Sequence, residues 1–558
     1  MRRIQRTSGL RSMHRFSVVR MAVRERSWSR ILAFAVLCCC LCAASFAQVS
    51  ANLVGVITDP SGAAISAASV TATNLGTGIS RTAPSDPAGR YQLLALPVGQ
   101  YEVRVTKNGF AEGIRSGIRL VVGQEAEVDV SLRVGEVSQQ IKVTEDAPVV
   151  NLTTQDISGL VGEQQVKDLP LNGRSYDLLL TLNPGIVNFT WEKTGGTGVS
   201  NSTTGNDFSV TGNRPQQNLF LLNGVEFTGA AENNMQPGGA SGELLGVEAV
   251  REFNVLRDTY SAEYGKRPGG QVSIVTQSGS NQLHGSVYEF LRNNALDAPN
   301  YFDQGSAPPF QRNQFGAALG GPIRPNKTFI LANYEGLRQH LHQTSVAFVP
   351  DANARVLAVA SVQPLLNLWP IAPPDAPDFN VGCPVNGATQ PCGIAQYFSS
   401  PLQTIREDFG TVRLDHAVSS GDSLAAAYTL DDGDDFTATV LDPYSSDILR
   451  LREQVFSLEE THTFSPSILN VARVGYSRAG YFFTGEPTPG TPAASVPGFL
   501  LGLPVGAVVV GGSAASSSFI TTAGSLKLKT CPAAAIASPF SCRSTRKMPE
   551  PSPRTPIS

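Results

Sequence analysis

The sequence predicts a mainly β chain: an N-terminal β-sandwich, a compact α+β domain and an incomplete transmembrane antiparallel β-barrel. Three observations predict it. Charged residues are 16% of the 558, with 53 Gly and 37 Pro, whereas soluble domains carry about 25% charge. Past residue 47 no apolar run approaches the ~20 residues a spanning helix needs. Period-two alternation between turn signals recurs along the chain, which is the pattern of antiparallel strands.

The first 47 residues read as an export leader. Arg24, Arg26 and Arg30 precede an apolar run from Ile31 to Leu41, and Ser45-Phe46-Ala47 offers a cleavage site before Gln48. Such a charged, apolar, small-residue order is that of a secretory signal peptide, starting at Met1 or Met21. The leader holds nine Arg and only Glu25, so the net charge of -3 conceals a mature chain of 34 basic and 45 acidic residues. That balance argues against nucleic acid as a partner. Four of eight Cys lie in the leader. Cys383 and Cys392 are spaced for a small loop disulfide in an oxidising compartment.

Residues 50–134 are expected to form the sandwich. Asp59-Pro60-Ser61-Gly62, Asp86-Pro87-Ala88-Gly89 and Leu96-Pro97-Val98-Gly99 each place Pro second and Gly fourth, as type I turns prefer. Between them, Tyr101, Val103 and Val105 alternate with Glu102, Arg104 and Thr106. Residues 135–147 are a linker. Their run Gln139-Gln140-Ile141-Lys142-Val143-Thr144 reads equally as a joining strand and as an extended segment that a partner captures by strand addition. Residues 148–280 mix a short helix at Glu163–Leu169 with apolar strands at Asn218–Val225, Val250–Val255 and Gln271–Thr276, the mark of an α+β domain.

From 281 to 525 the alternation returns. Leu424, Ala426, Tyr428 and Leu430 interleave with Ser423, Ala425, Ala427 and Thr429, and Val412 and Leu414 with Arg413 and Asp415. One apolar and one polar face is what a membrane barrel requires. Further strands are expected at 283–292, 327–335, 451–464 and 468–478, with a long loop at 365–400. Seven to ten strands emerge, against about 22 in plugged outer-membrane transporters. Residues 526–558, with Cys531, Cys542 and a Pro/Ser/Arg-rich end, lack alternation and suit an out-of-frame or partial reading frame.

No catalytic set is evident, so no enzyme activity and no cofactor is expected. The six His lie on unrelated segments, with His340 and His342 expected on a surface loop, and no metal site is expected. Asp431-Asp432-Gly433-Asp434-Asp435 lacks the closing Glu of a calcium loop, which leaves a solvated turn as the expectation.

Two resemblances add to this reading. Gly55-Val56, Asp59, Gly62, Ala63, Asp86, Gly89, Tyr91, Gly99-Gln100-Tyr101 and Gly109-Phe110 resemble the carboxypeptidase regulatory-like domain. That likeness implies a non-catalytic, transthyretin-like or carbohydrate-binding-like sandwich. The series Asp168-Leu169-Pro170-Leu171-Asn172-Gly173-Arg174, Thr211-Gly212-Asn213-Arg214-Pro215, Leu222-Asn223-Gly224-Val225-Glu226 and Thr276-Gln277-Ser278-Gly279 resembles the plug of Oar-like TonB-dependent receptors. Phe290-Leu291-Arg292-Asn293 and Asn333-Tyr334-Glu335-Gly336 resemble its barrel entry. The resemblance implies a cell outer-membrane location, a periplasmic N-terminal domain and the inner-membrane TonB complex as partner, with Gln139 to Thr144 as its box. It also implies an unidentified extracellular ligand met by plug loops near Thr211, Asn213 and Arg214 and near Gly238–Gly242. Against import stand a non-transporting adhesion or assembly protein, a secreted hydrolase, and a non-functional truncated product.

Overall fold

A computed structural model describes residues 50–135 and 157–498, apart from short gaps at 189, 191–204, 228–236, 258–263, 304, 381–382, 386–387, 391–392, 439–443 and 466–467, together with the strands at 140–144, 508–509, 516–517 and 529–530. The leader, Cys392 and most of the tail lie outside the described residues. Among the described residues no helix is long and apolar enough to cross a membrane.

The sandwich is built from β1 (Ala51–Thr58), β2 (Ser69–Asn74), β3 (Ser80–Pro84), β4 (Arg90–Leu96), β5 (Gly99–Thr106), β6 (Glu112–Leu120), β7 (Glu125–Glu127) and β8 (Val130–Ser131). One sheet has β1 between β4 and β7, with β8 also on β1. The other runs β3-β2-β5-β6 and gains β9 (Gln140–Thr144) at its edge. The alternation read from sequence sorts as expected: Tyr101, Val103 and Val105 are buried with Leu53, Ile57 and Leu132 in one core. Asp59 and Asp86 close their turns through their own carboxylates, which accept backbone N–H from Ala63 and Arg90 at 2.9 Å.

The second domain comprises β10 (Ile157–Val161), α1 (Glu163–Asp168), β11 (Ile186–Asn188), β12 (Phe208–Val210), β13 (Leu219–Leu222), β14 (Val225–Glu226), β15 (Val250–Arg257) and β16 (Gln271–Thr276). Its sheet order is β10-β15-β16-β13-β14. β13 and β16 run parallel, and every residue of both is buried. This explains their continuous apolar reading, because a strand covered on both faces has no polar side to alternate with.

The third part is a sheet of long strands: β17 (His284–Asn293), β18 (Phe310–Arg324) and β19 (Thr328–His342), then a surface subdomain, then β25 (Leu402–Ala417), β26 (Asp422–Ala438), β27 (Ser445–Ser465) and β28 (Ile468–Pro487). Neighbours pair antiparallel in sequence order, with Lys529–Thr530 beside β28. Among the described residues β17 does not pair with β28, so the sheet is open. Strands of 15 to 21 residues from β18 onward exceed the ~10 needed to span a bilayer and extend well past it. Connections at one end are short (325–327, 418–421), and at the other long (294–309, 343–401), the asymmetry of an outer-membrane barrel.

Two expectations need correction. The acidic run at 431–435 is not a turn but mid-strand in β26, where the pleat sends Asp431 and Asp435 to the buried face and Asp432 and Asp434 outward. His340 and His342 end strand β19 rather than lying on a loop. The stretch 365–400 is also more ordered than a plain loop. The segment after β19 carries β20 (Ser345–Pro350), α2 (Ala352–Leu357), β21 (Asp378–Asn380), β22 (Cys383–Val385), β23 (Ala388–Gln390) and β24 (Gly393–Ser399). Val349, Leu368 and Trp369 make a small core there with Ala493 and Val496.

Candidate functional site: the seam between the central domain and the barrel wall

Along β19, β25, β26 and β27 the inward positions carry acids: Glu335, Glu407, Asp431 and Glu453 are at most 2% exposed. A carboxylate can be buried only where hydrogen bonds or counter-charges replace water. For Glu335 and Glu407 the central domain supplies several of them. Glu335 takes Arg174 Nε at 3.1 Å, Gln314 Nε2 at 2.8 Å and the Gly246 backbone N–H at 3.0 Å. Glu407 accepts the Ser241 N–H at 2.6 Å. Further down, Arg413 of β25 donates to the Thr276 carbonyl at 3.1 Å, where β16 leaves the central domain.

Close approach makes this seam possible. A Cβ on Gly239 would stand 2.0 Å from a Glu407 carboxylate oxygen, and one on Gly246, at φ +99°, would stand 2.4 Å from the Phe409 ring. Only a residue without a side chain lets the backbone donate to a wall so near.

Arg174 is the pivot. It follows Gly173 (φ +69°), and its own φ of +59° is left-handed, a conformation that costs a non-glycine residue about 1 kcal/mol. The turn is held because the guanidinium lies over the Tyr288 and Phe290 rings at 4.3 and 4.7 Å and is 3.6 Å from Glu248. The same Asn172–Arg174 turn borders a cleft of about 430 Å³ at the β17 side of the seam, with Arg312 across it.

Behind the seam sits a second polar cluster. Asp177 takes hydrogen bonds from Ser175 Oγ at 2.5 Å and Asn206 Nδ2 at 3.0 Å, while Ser175 Oγ also accepts the Leu244 N–H. Burial pushes Asp177 up to about 6 despite those bonds. Glu243 is pushed up to about 7, by burial first and then by the Asp177 charge, with Arg312 opposing.

The sandwich joins the central domain directly. The Val122 N–H donates to Glu252 Oε1 at 2.6 Å, and Val98 and Val122 pack with Val275. The Asn281 N–H reaches the Gly76 carbonyl at 2.8 Å, so the sandwich also touches the short-turn end of the long-strand sheet.

The residues singled out from sequence fall in three places. Gln140, Ile141, Lys142, Val143 and Thr144 form β9, paired parallel with β6 from Glu112↔Gln140 to Ser116↔Thr144; Gln139 lies outside the described residues. Thr211, Asn213 and Arg214 make a tight turn, with Thr211 at φ +49° and a bridge between Val210 and Asn213. They are not brought to the acidic seam. The loop at Gly238–Gly242 is, and it is buried there rather than open. Sequence reading passed over Glu407 and Asp177 and gave no sign that Arg174 and Glu335 pair, because partners 161 residues apart leave no local signal. No metal role was expected of His462. Its Nδ1 bonds the Asp422 carboxylate, and with Glu460 the ligand-type atoms of the three lie within 4.8 Å, partly buried at the short-turn end.

Comparison with known proteins agrees with this architecture. Residues 52–133 match the carboxypeptidase regulatory-like domain, 151–272 the TonB-dependent receptor plug domain and 275–532 an outer membrane beta barrel domain. Over 307 residues the chain is 26% identical to the TonB-dependent transporter Oar of Myxococcus xanthus, covering 52% of this chain and 27% of that protein. Among solved structures, the outer membrane transporter YddB of Escherichia coli aligns at 12% identity and TM-score 0.41, over 59% of this chain and 39% of that one. The ferric enterobactin receptor of Pseudomonas aeruginosa aligns at 12% identity and TM-score 0.36, over 58% and 41%. The chain thus spans about a quarter of the curated relative and under half of these transporters.

Proposed function

Since this chain belongs to the Oar-like TonB-dependent receptors of the outer membrane, we propose that it imports a bulky extracellular solute by an energy-coupled rearrangement of its plug. The observation that carries this reading is the seam. The plug is fixed to the wall by a few buried carboxylates that accept plug backbone N–H groups and one arginine. Such a contact is strong while assembled and is lost as a unit when one element shifts, because each carboxylate then needs water. Local opening then need not unfold the plug sheet.

The work comes from the periplasmic side. The sandwich packs at the short-turn end of the barrel, which in outer-membrane barrels faces the periplasm. There, among the described residues, β9 is an edge strand, held by one neighbour through backbone pairing. TonB takes Gln139 to Thr144 by the same strand addition. Pull on that strand reaches β10 and α1 next, and α1 ends six residues before Arg174. Thr211, Asn213 and Arg214 are the ligand contacts on the plug. This reading gives the chain a transport role rather than an enzymatic one, in line with its curated relative, a TonB-dependent transporter.

The test is capture of the periplasmic domain of TonB by the purified chain in detergent. Binding is expected, and deletion of 136–146 is expected to abolish it. Equal capture by the deletion variant contradicts the assignment of the box.

A further inference from the structure

The register of the long strands sorts their outward side chains into rows, and the rows change character in order. Near the short-turn end lie His416, Leu424 and Glu460. Above them come Leu414, Ala426 and Leu458, then Val412, Tyr428 and Phe456, an apolar belt on the sheet's outer face in which Leu414, Leu458, Val412 and Tyr428 are exposed, Val412 at 48%. Eight residues above the first row the face turns ionic: Asp408, Asp432 and Arg452 stand in one row, and Arg338, Arg406, Asp434 and Arg450 in the next. Eight residues of tilted strand rise about 20 Å, close to the ~25 Å apolar band of outer-membrane barrels. The ionic rows therefore begin where hydrocarbon gives way to headgroups on the long-loop side, the depth at which lipid-facing charge is tolerated.

Within these rows charge is not balanced. Arg406 bonds Asp434 and Asp432 at 2.9 and 3.3 Å as well as Asp408, and Arg338 bonds Asp408 at 2.6 Å. Four arginines face three aspartates. Arg452 gives its Nε to Asp432 at 2.7 Å, Arg450 stands by Asp434 through its Nε at 3.6 Å, and their side chains are 57% and 70% exposed. The two residues sit two apart on one face, roughly 7 Å along the strand, a spacing at which two guanidinium forks can hold one phosphate group from both sides. On the neighbouring strand Arg478, diagonal to Arg452, has a buried Nε without a hydrogen-bond partner among the described residues.

The geometry points to a seat for a phosphorylated lipid of the outer leaflet, its phosphate held between Arg450 and Arg452 and its acyl chains on the apolar belt below. A sheet face at this depth meets lipid headgroups. The net positive charge of the four-arginine, three-aspartate cluster, with Arg450 and Arg452 at its exposed edge, selects phosphate over uncharged sugar or glycerol.

The test uses the full chain in dodecyl maltoside, titrated with bis-phosphorylated lipid A and with the same lipid after removal of its phosphates. The phosphorylated form is expected to bind about tenfold tighter. R450Q/R452Q is expected to bring the two lipids within about twofold, while R90Q, on the exposed sandwich surface, keeps the wild-type preference. Equal binding of the two lipids by the unaltered chain overturns the proposal without any variant having to fold. An undiminished preference in R450Q/R452Q overturns the assignment of these residues.

Discussion

Arg174 carries the heaviest single burden in the molecule. Its backbone is left-handed, its guanidinium is clamped by two rings, and it balances Glu335, which has no exposure to solvent. Removing one member of a buried pair costs about 3–5 kcal/mol. R174A is therefore expected to destabilise the plug–wall seam by about 3 kcal/mol, read as faster hydrogen exchange at 239–249 with the sandwich unaffected. Wild-type exchange there contradicts it. A second expectation concerns pH. Asp177 and Glu243 have folded values of about 6 and about 7 against ordinary values of 3.8 and 4.5. A carboxyl that holds its proton more tightly when folded stabilises the fold at low pH, and that contribution fades as pH rises through the folded value. The plug interior is expected to loosen between roughly pH 4 and 7, seen as exchange at 175–182 that accelerates beyond the intrinsic rate. D177N is expected to flatten that rise, and an unchanged slope rules out Asp177 as a cause. Of these residues only Arg174 and Glu335 stood out in the sequence, each within a stretch that carries the resemblance, and neither as one half of a buried pair. Their chemistry depends on partners far along the chain.

Elements were more legible than residues, for a reason the strands make plain. Period-two alternation is local, so β5 and β26 announced both their type and their faces. β13 and β16 gave only continuous apolar runs, since both faces are covered. The acidic run at 431–435 misled because four aspartates around a glycine look like a turn. Only the register shows that the pleat divides them between the plug seam and the outer ionic row. β9 is the element on which the transport reading turns. A proline cannot donate to a ladder. I141P is expected to free β9 from β6, speeding exchange at 112–120, and to weaken TonB capture by tenfold or more, on the order expected when backbone pairing supplies the affinity. Unchanged capture by I141P means that recognition does not run through this strand.

At the scale of the whole molecule, the account is of three β units with different solvents. The sandwich and plug bury their apolar residues inward, whereas the barrel sheet turns an apolar belt with Val412, Tyr428 and Leu458 out and Glu335, Glu407, Asp431 and Glu453 in. That inversion is the central claim, since uptake, the seam and the lipid seat all presuppose it. It was legible in the sequence as alternation, with the polar face expected inward, and the contacts of Glu335 and Glu407 place the plug on that face. The direct test places a photo-crosslinking phenylalanine analogue, one site at a time, along adjacent strands of the chain in lipid. Label at Val412, Tyr428 or Leu458 is expected to capture lipid, and label at Thr411, Thr429 or Ser457 to capture protein, switching with every residue. Lipid capture without that alternation, or none at any of the six positions, contradicts the account.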